Sequence, residues 1–208
     1  MTSPYRLVLG AAFDDLHPRL RAYFDAIPDG GAGEGRGVFE TVGTPRRWLW
    51  PALALLGRAH VVFPVWERGV PFTVENVPSS DAAGAPSVRA LRVFRLRSGR
   101  RTMVDEISAD GGAIVDTLGR PSRISARFEA AVVDGGLRLT STSVVVLLGR
   151  MRIRVPARVA PRVTLTERFD DDRDVQLVSI ALHQPLIGKV YEYAGSFRYS
   201  VRAGEQNA

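Results

Sequence analysis

From about residue 59 onward the chain alternates apolar with polar residues, and only short turn signals separate one run from the next. A chain with that period builds sheet. The last run is the clearest: Tyr191, Tyr193, Phe197, Tyr199 and Val201 fall on one face, and Glu192, Ala194, Ser196, Arg198 and Ser200 on the other. Ile124, Ala126, Phe128, Ala130 and Val132 alternate in the same way around Arg127 and Glu129. So do Val61, Phe63 and Val65, then Phe72 and Val74, and later Val163, Leu165 and Phe169. Gly69, Asp134-Gly135-Gly136 and Asp170-Asp171-Asp172 supply turns between runs, so roughly nine to eleven strands are expected. Links this short leave no room for crossover helices, which makes the pairing antiparallel. A sheet of that size curls or closes to hide its edges.

Two segments ahead of the sheet have helical spacing. Leu16, Leu20, Tyr23, Phe24 and Ile27 mark one face of a helix over Phe13–Ile27, with Asp14 or Asp15 as cap and Pro18 in the first turn. A second helix is expected over Pro45–Leu56, with Thr44 as N-cap and Gly57 as stop. The expected fold is therefore α+β, mostly antiparallel β: a strongly curved sheet or (half-)barrel with the two N-terminal helices packed on or inside it. One domain over 1–208 is expected, helical over 1–58, sheet over 59–202 and a disordered tail over 203–208. Gly30–Gly37 and Pro78–Pro86 are the expected mobile loops.

Composition excludes several chemistries. With no cysteine among 208 residues, disulfides, thiolate metal sites and thiol nucleophiles are impossible. The longest apolar run, Val144–Gly149, suits a strand and is far too short for a membrane helix. No basic-then-apolar leader opens the chain, so the cytoplasm is the expected compartment. The net charge of +6 comes almost wholly from arginine, with Lys189 the single lysine, and the arginines are scattered. Arg89–Arg101 is basic but holds only Phe94 as an aromatic, so nucleic acid is not an expected partner.

The motifs are sparse. Gly31-Ala32-Gly33-Glu34-Gly35-Arg36-Gly37 has the look of a phosphate loop, but a helix precedes it and none follows, so it is read as a flexible connector. Gly-x-Ser-x-Gly is absent. His17, His60 and His183 form no ligand pair, so no metal or cofactor is expected. His17 reads as a local cap beside Pro18. Two charges stand out because they share parity with apolar neighbours: Glu167 between Leu165 and Phe169, and Arg92 with Ala90, Phe94 and Leu96. A charge on an apolar face is paired, bends its strand or lines a cavity. Arg92 and Glu167 could pair with each other, or anchor the polar end of an apolar pocket.

Several short stretches, in order, resemble a known family. They are Leu16-His17-Pro18, Gly35-Arg36-Gly37-Val38-Phe39, Arg92-Val93-Phe94, Asp116-Thr117-Leu118-Gly119, Gly135-Gly136-Leu137, Pro156, Pro161 and Glu167. The signature closes with Pro185-Leu186-Ile187-Gly188 and Tyr193-Ala194-Gly195-Ser196-Phe197. Together they resemble the bacterial domain-of-unknown-function family 4166 over nearly the whole chain. Ala90 stands where that family often has Trp, and Asp116 where it often has Glu. The resemblance implies no established activity. Some members are fused to reductase- or epimerase-like domains, which implies small-molecule metabolism.

The expected function is a non-enzymatic domain that binds an apolar or amphipathic, lipid-like small molecule between curved sheet and helices. The lining candidates are Arg92, Phe94, Glu167, His183, Tyr191, Tyr193 and Phe197, with Arg92 meeting an anionic head group. Two other readings stay open: an enzyme using Glu167 or Asp116 with His183, and an interaction module for a reductase-type partner. The oligomeric state is not legible.

Overall fold

The computed structural model describes residues 2–81 and 83–203. Its strands are β1 (Ala32–Gly43), β2 (Trp66–Glu67), β3 (Val70–Ser80), β4 (Pro86–Leu96), β5 (Gly99–Asp110) and β6 (Ala113–Leu118), followed by β7 (Ile124–Val133), β8 (Gly136–Leu148), β9 (Met151–Arg154), β10 (Arg162–Asp170), β11 (Val175–Gln184) and β12 (Gly188–Arg202). All pair antiparallel, in the order β10-β11-β12-β1-β3-β4-β5-β6-β7-β8, and β8 pairs back onto β10. Ten strands thus close into a barrel, while β2 and β9 are short hairpin additions on β1 and β8. Closure removes the free edges that a sheet of this length would otherwise expose.

The closing seam is short. Leu137–Thr140 of β8 face Thr164–Glu167 of β10, and beyond them β8 turns to pair with β9 through Val145–Leu148. The barrel wall therefore parts on one side above Ser141, whose hydroxyl accepts the Val163 N–H at 2.8 Å.

Three short α-helices accompany the sheet: α1 (Pro4–Leu9), α2 (Pro18–Phe24) and α3 (Trp50–Arg58). The expected helix over Phe13–Ile27 is divided. A 3₁₀ turn over Gly10–Asp15 ends at Leu16, and α2 starts at Pro18 with His17 as its cap, its Nδ1 accepting the Arg19 N–H at 3.3 Å. The buried face is as expected: Leu16, Leu20, Phe24 and Ile27 are all buried. With Phe13, Leu16, Leu20 and Phe24 pack on Ile114, Ala126, Phe128, Leu137 and Leu139, plugging one end of the barrel. The second helix begins later than Pro45, because Thr44 is buried and Arg47–Leu49 form a 3₁₀ turn before α3.

Sequence expectation needs three corrections. Gly30–Gly37 is no mobile connector; most of it belongs to β1, a central strand inside the stretch expected to be helical. Its glycines are required by close approach. A Cβ on Gly35 would lie 2.6 Å from Val74 Cγ1, and one on Gly37 2.0 Å from the Ser196 carbonyl oxygen. Because glycine has no side chain to alternate, the period-two signal vanishes there. Second, Val61–Val65 is not a strand. The segment is mostly buried but bends: its Val61 N–H turns back to Leu56 O at 3.1 Å and its Val65 N–H to Phe63 O at 2.9 Å, while Thr44 N–H bonds Val65 O at 2.9 Å. Third, Pro78–Pro86 is mostly strand, leaving a connection only between Ser80 and Pro86. The tail expected from 203 lies outside the described residues from 204 onward.

A second core cluster stacks aromatics from β1, β3, β4 and β12. Phe39 lies on Phe72 with ring centroids 3.8 Å apart, and Phe94, Tyr193 and Phe197 surround them. That cluster depends on the stripe of glycines in β1. Gly37→Ala is expected to destabilise the protein by about 2–3 kcal/mol, since the obstructing atoms are backbone and cannot swing away. Urea denaturation measures this, and an unchanged midpoint would contradict the close β1–β12 contact.

Candidate functional site

Strand parity carries ionisable side chains into the barrel from five strands. On β4, Ala90, Arg92, Phe94 and Leu96 face inward. Ala90 pairs with Asp105 of β5, so Arg92 stands diagonal to Asp105, within reach of a long side chain. The two form a buried ion pair and hydrogen bond. Leu118 of β6 is the partner of Asp105, which sets Asp116 diagonal to it on the next strand. Across the interior, Glu167 of β10 accepts a hydrogen bond from Gln176 of β11. β12 adds Tyr191 and Tyr193. The two N-terminal helices add Tyr5 from α1 and Tyr23 from α2.

These groups converge. The charges of Glu167, Asp116, Arg92 and Asp105 all act on the Tyr5 hydroxyl, and the same four act on Tyr193. They border a cavity of about 360 Å³. Most of its remaining wall is apolar, including Leu53 and Leu56 of α3, Ile180 and Leu182 of β11, and Ile187 in the β11–β12 turn. The Arg92 side chain keeps 16 % exposure and Asp105 only 1 %. Two carboxylate oxygens, Asp105 Oδ2 and Asp116 Oδ1, are buried and have no hydrogen-bond partner among the described residues. An orphaned buried acceptor costs about 1–3 kcal/mol.

Burial dominates the titration of the acids. It raises Asp105 despite the opposing pull of Arg92. It raises Asp116 well above the carboxylate range, and the neighbouring charge of Asp105 adds to it. It pushes Glu167 from 4.5 up to about 7, against the hydrogen bond from Gln176 and the field of Arg92. Burial works hardest against the guanidinium charge, but Asp105, Tyr193, Tyr23 and Asp116 together outweigh it and Arg92 stays protonated. Tyr5, Tyr23, Tyr191 and Tyr193 are raised, first by burial, and remain neutral donors. The site can thus present neutral O–H donors, a proton-sharing carboxyl and two unfilled acceptors to one space.

Of the residues singled out from sequence, Arg92, Glu167, Tyr191 and Tyr193 border this cavity. Arg92 and Glu167 are not each other's partners; each has its own. Phe94 and Phe197 lie in the packed aromatic cluster beneath. His183 is exposed, on a surface groove with Arg162 and Gly188, and does not line the cavity. The tyrosines Tyr5 and Tyr23, and Asp105, were not singled out for the site. The signals existed: Asp105 shares parity with Met103 and Ile107, Asp116 with Ile114 and Leu118, and Ser3-Pro4 is a helix start that announces α1.

A closed antiparallel barrel around a mixed apolar and ionisable interior is the class that fold and site define. The chain belongs to the family described as Domain of unknown function (DUF4166), which it matches over residues 16–197. It is also similar to "Uncharacterized protein YndH" of Bacillus subtilis (strain 168), with 24% identity over 198 residues, covering 90% of this chain and 92% of that one. No solved structure matches it.

Acids with raised pKa values make stability depend on pH in a definite direction. Between the unfolded and folded pKa of Glu167 the native state holds the extra proton, so stability falls as pH rises. The loss runs from about pH 4.5 to about 7 and amounts to about 3 kcal/mol from Glu167. Asp105 and Asp116 add to it in the same sense. Glu167→Gln is expected to flatten that slope in urea denaturation series taken across this range. A wild-type slope of the opposite sign would contradict the burial of these acids.

Proposed function

We propose that the protein holds a small amphipathic, lipid-like molecule inside its barrel. The observation that carries this reading is the pair of orphaned acceptors, Asp105 Oδ2 and Asp116 Oδ1, at the border of a cavity whose other walls are largely apolar. An apolar body would lie against Leu53, Leu56, Ile180 and Leu182, and its polar end would donate hydrogen bonds to the orphaned oxygens. The volume, about 360 Å³, is in the range of small-molecule sites.

The charge pattern selects the polar end. From sequence, Arg92 suggests an anionic head group, but here Asp105 already neutralises Arg92, and Asp116 and Glu167 stand close by. A hydroxyl-bearing end suits the orphaned oxygens, while an anionic end would find Arg92 already neutralised by Asp105. A second reading has support from the same place. Burial pushes Glu167 up to about 7 and raises Asp116 beside the cavity, a placement suited to moving a proton on or off the bound molecule. His183 takes no part in that reading, since it lies outside the barrel. The cytoplasm is the compartment this reading takes, and cell fractionation tests it.

A native mass spectrum of the purified protein, followed by organic extraction, tests the reading. It expects a discrete added mass that extraction removes, belonging to a mainly apolar molecule with a donor at one end. Asp116→Leu removes one orphaned acceptor. It is expected to raise stability by about 1–3 kcal/mol and to weaken retention of the extracted molecule. A stable Asp116→Leu protein that retains the molecule as well as wild type would sink the assignment of its polar end.

A further inference from the structure

An antiparallel barrel sends its connections alternately to two ends, and here the ends differ sharply in charge. Segments 44–69, 97–98, 119–123, 149–161 and 185–187 gather at one end. Together they carry eleven arginines and one acid, Glu67. The opposite end holds residues 2–31 and the turns after β3, β5, β7 and β10, with nine aspartates against four arginines. The sequence hides this polarity, because each arginine is isolated in its own loop.

The basic end is also where apolar side chains stand free. Leu186 is 78 % exposed, Leu55 65 %, Trp48 61 % and Met151 59 %, and Ile153 and Val159 are exposed beside them. Arginines sit between them in the chain: Arg47 before Trp48, Arg150, Arg152 and Arg154 around Met151 and Ile153, and Arg158 before Val159. All four residues of β9 are exposed. Arg46 Nε donates to the Lys189 carbonyl at 3.1 Å, tying the segment before α3 to the start of β12. The chain neighbours of these tips, Leu49, Pro161 and Ile187, line the cavity, so the tips ring its approach.

We propose that this rim is a docking surface for an anionic lipid bilayer, with the cavity's approach facing the membrane. Exposed Trp, Leu and Met tips enter the interfacial region, and arginines beside them meet the lipid phosphates. The acidic far end is repelled by the same surface, which orients the barrel. The barrel docks and does not span: mid-strand positions on its outer wall carry exposed Arg36, Glu75, Glu129 and Arg138, the reverse of a lipid-facing wall. The apolar tips separate a bilayer from a nucleic acid, which offers them no apolar interior. In naming the bilayer as the source of the cavity's occupant, the inference rests on the reading above; the docking stands on the rim alone.

Flotation with vesicles tests it. The full chain is expected to float with vesicles of phosphatidylcholine and phosphatidylglycerol in equal parts, to stay behind with phosphatidylcholine alone, and to be released by salt. Arg150→Glu, Arg152→Glu and Arg154→Glu combined should weaken binding at least about a hundredfold. Trp48→Ser with Leu186→Ser should weaken it while leaving the salt dependence in place. Every position changed is exposed, and an unaltered melting curve verifies folding; if the triple variant melts early, the Trp48 and Leu186 pair decides. Failure to float with anionic vesicles, or tighter binding to duplex DNA at equal salt, overturns the proposal. A co-purified molecule without flotation would overturn docking and leave the interior reading intact. Flotation with no interior molecule would support docking and remove the interior reading.

Discussion

Four residue pairs between β8 and β10 turn a long curled sheet into a barrel, and the interior chemistry depends on that seam. Closure takes the inward face of ten strands away from water. From then on every inward polar group must find a partner inside. The seam is also incomplete. Because β8 pairs with β9 beyond it, the wall parts toward the end where α3 and the β11–β12 turn lie. One constraint thus encloses the charges and sets the side from which the interior is approached.

Inside, the partners do not balance. One cation, Arg92, faces Asp105, Asp116 and Glu167, and Gln176 serves Glu167. An interior built only for stability would replace such a set with apolar residues, as buried ion pairs seldom repay their desolvation. Here the set is kept, two acceptors go unmatched, and three tyrosines are brought against it from separate elements. That imbalance, together with the space beside it, is why a bound molecule is the reading the interior supports best.

Much of this was legible in the sequence. The alternation in β12 put Tyr191 and Tyr193 inside, and parity alone marked Arg92 and Glu167 as inward charges. What parity could not supply was partnership, since Arg92 meets Asp105 only through the diagonal register of β4 and β5. β1 was invisible because Gly33, Gly35 and Gly37 occupy the positions where an apolar rhythm would show. Val61–Val65 misled in the opposite sense: its apolar residues are buried, yet its backbone bends and turns back on itself without pairing as a strand. α1 was too short for a periodic face, so its Tyr5 went unmarked. The charge polarity needed the topology, because only the alternation of barrel ends sorts the scattered arginines from the aspartates.

The most direct measurement is a crystal structure of the protein purified without detergent or organic solvent. The account predicts continuous density in the barrel, with one end at hydrogen-bond distance from Asp105 Oδ2 and Asp116 Oδ1 and the rest running between Leu53 and Leu182 toward the arginine-rich rim. An interior in which Arg92 and Tyr23 fill the space and both oxygens are paired by protein groups would contradict it.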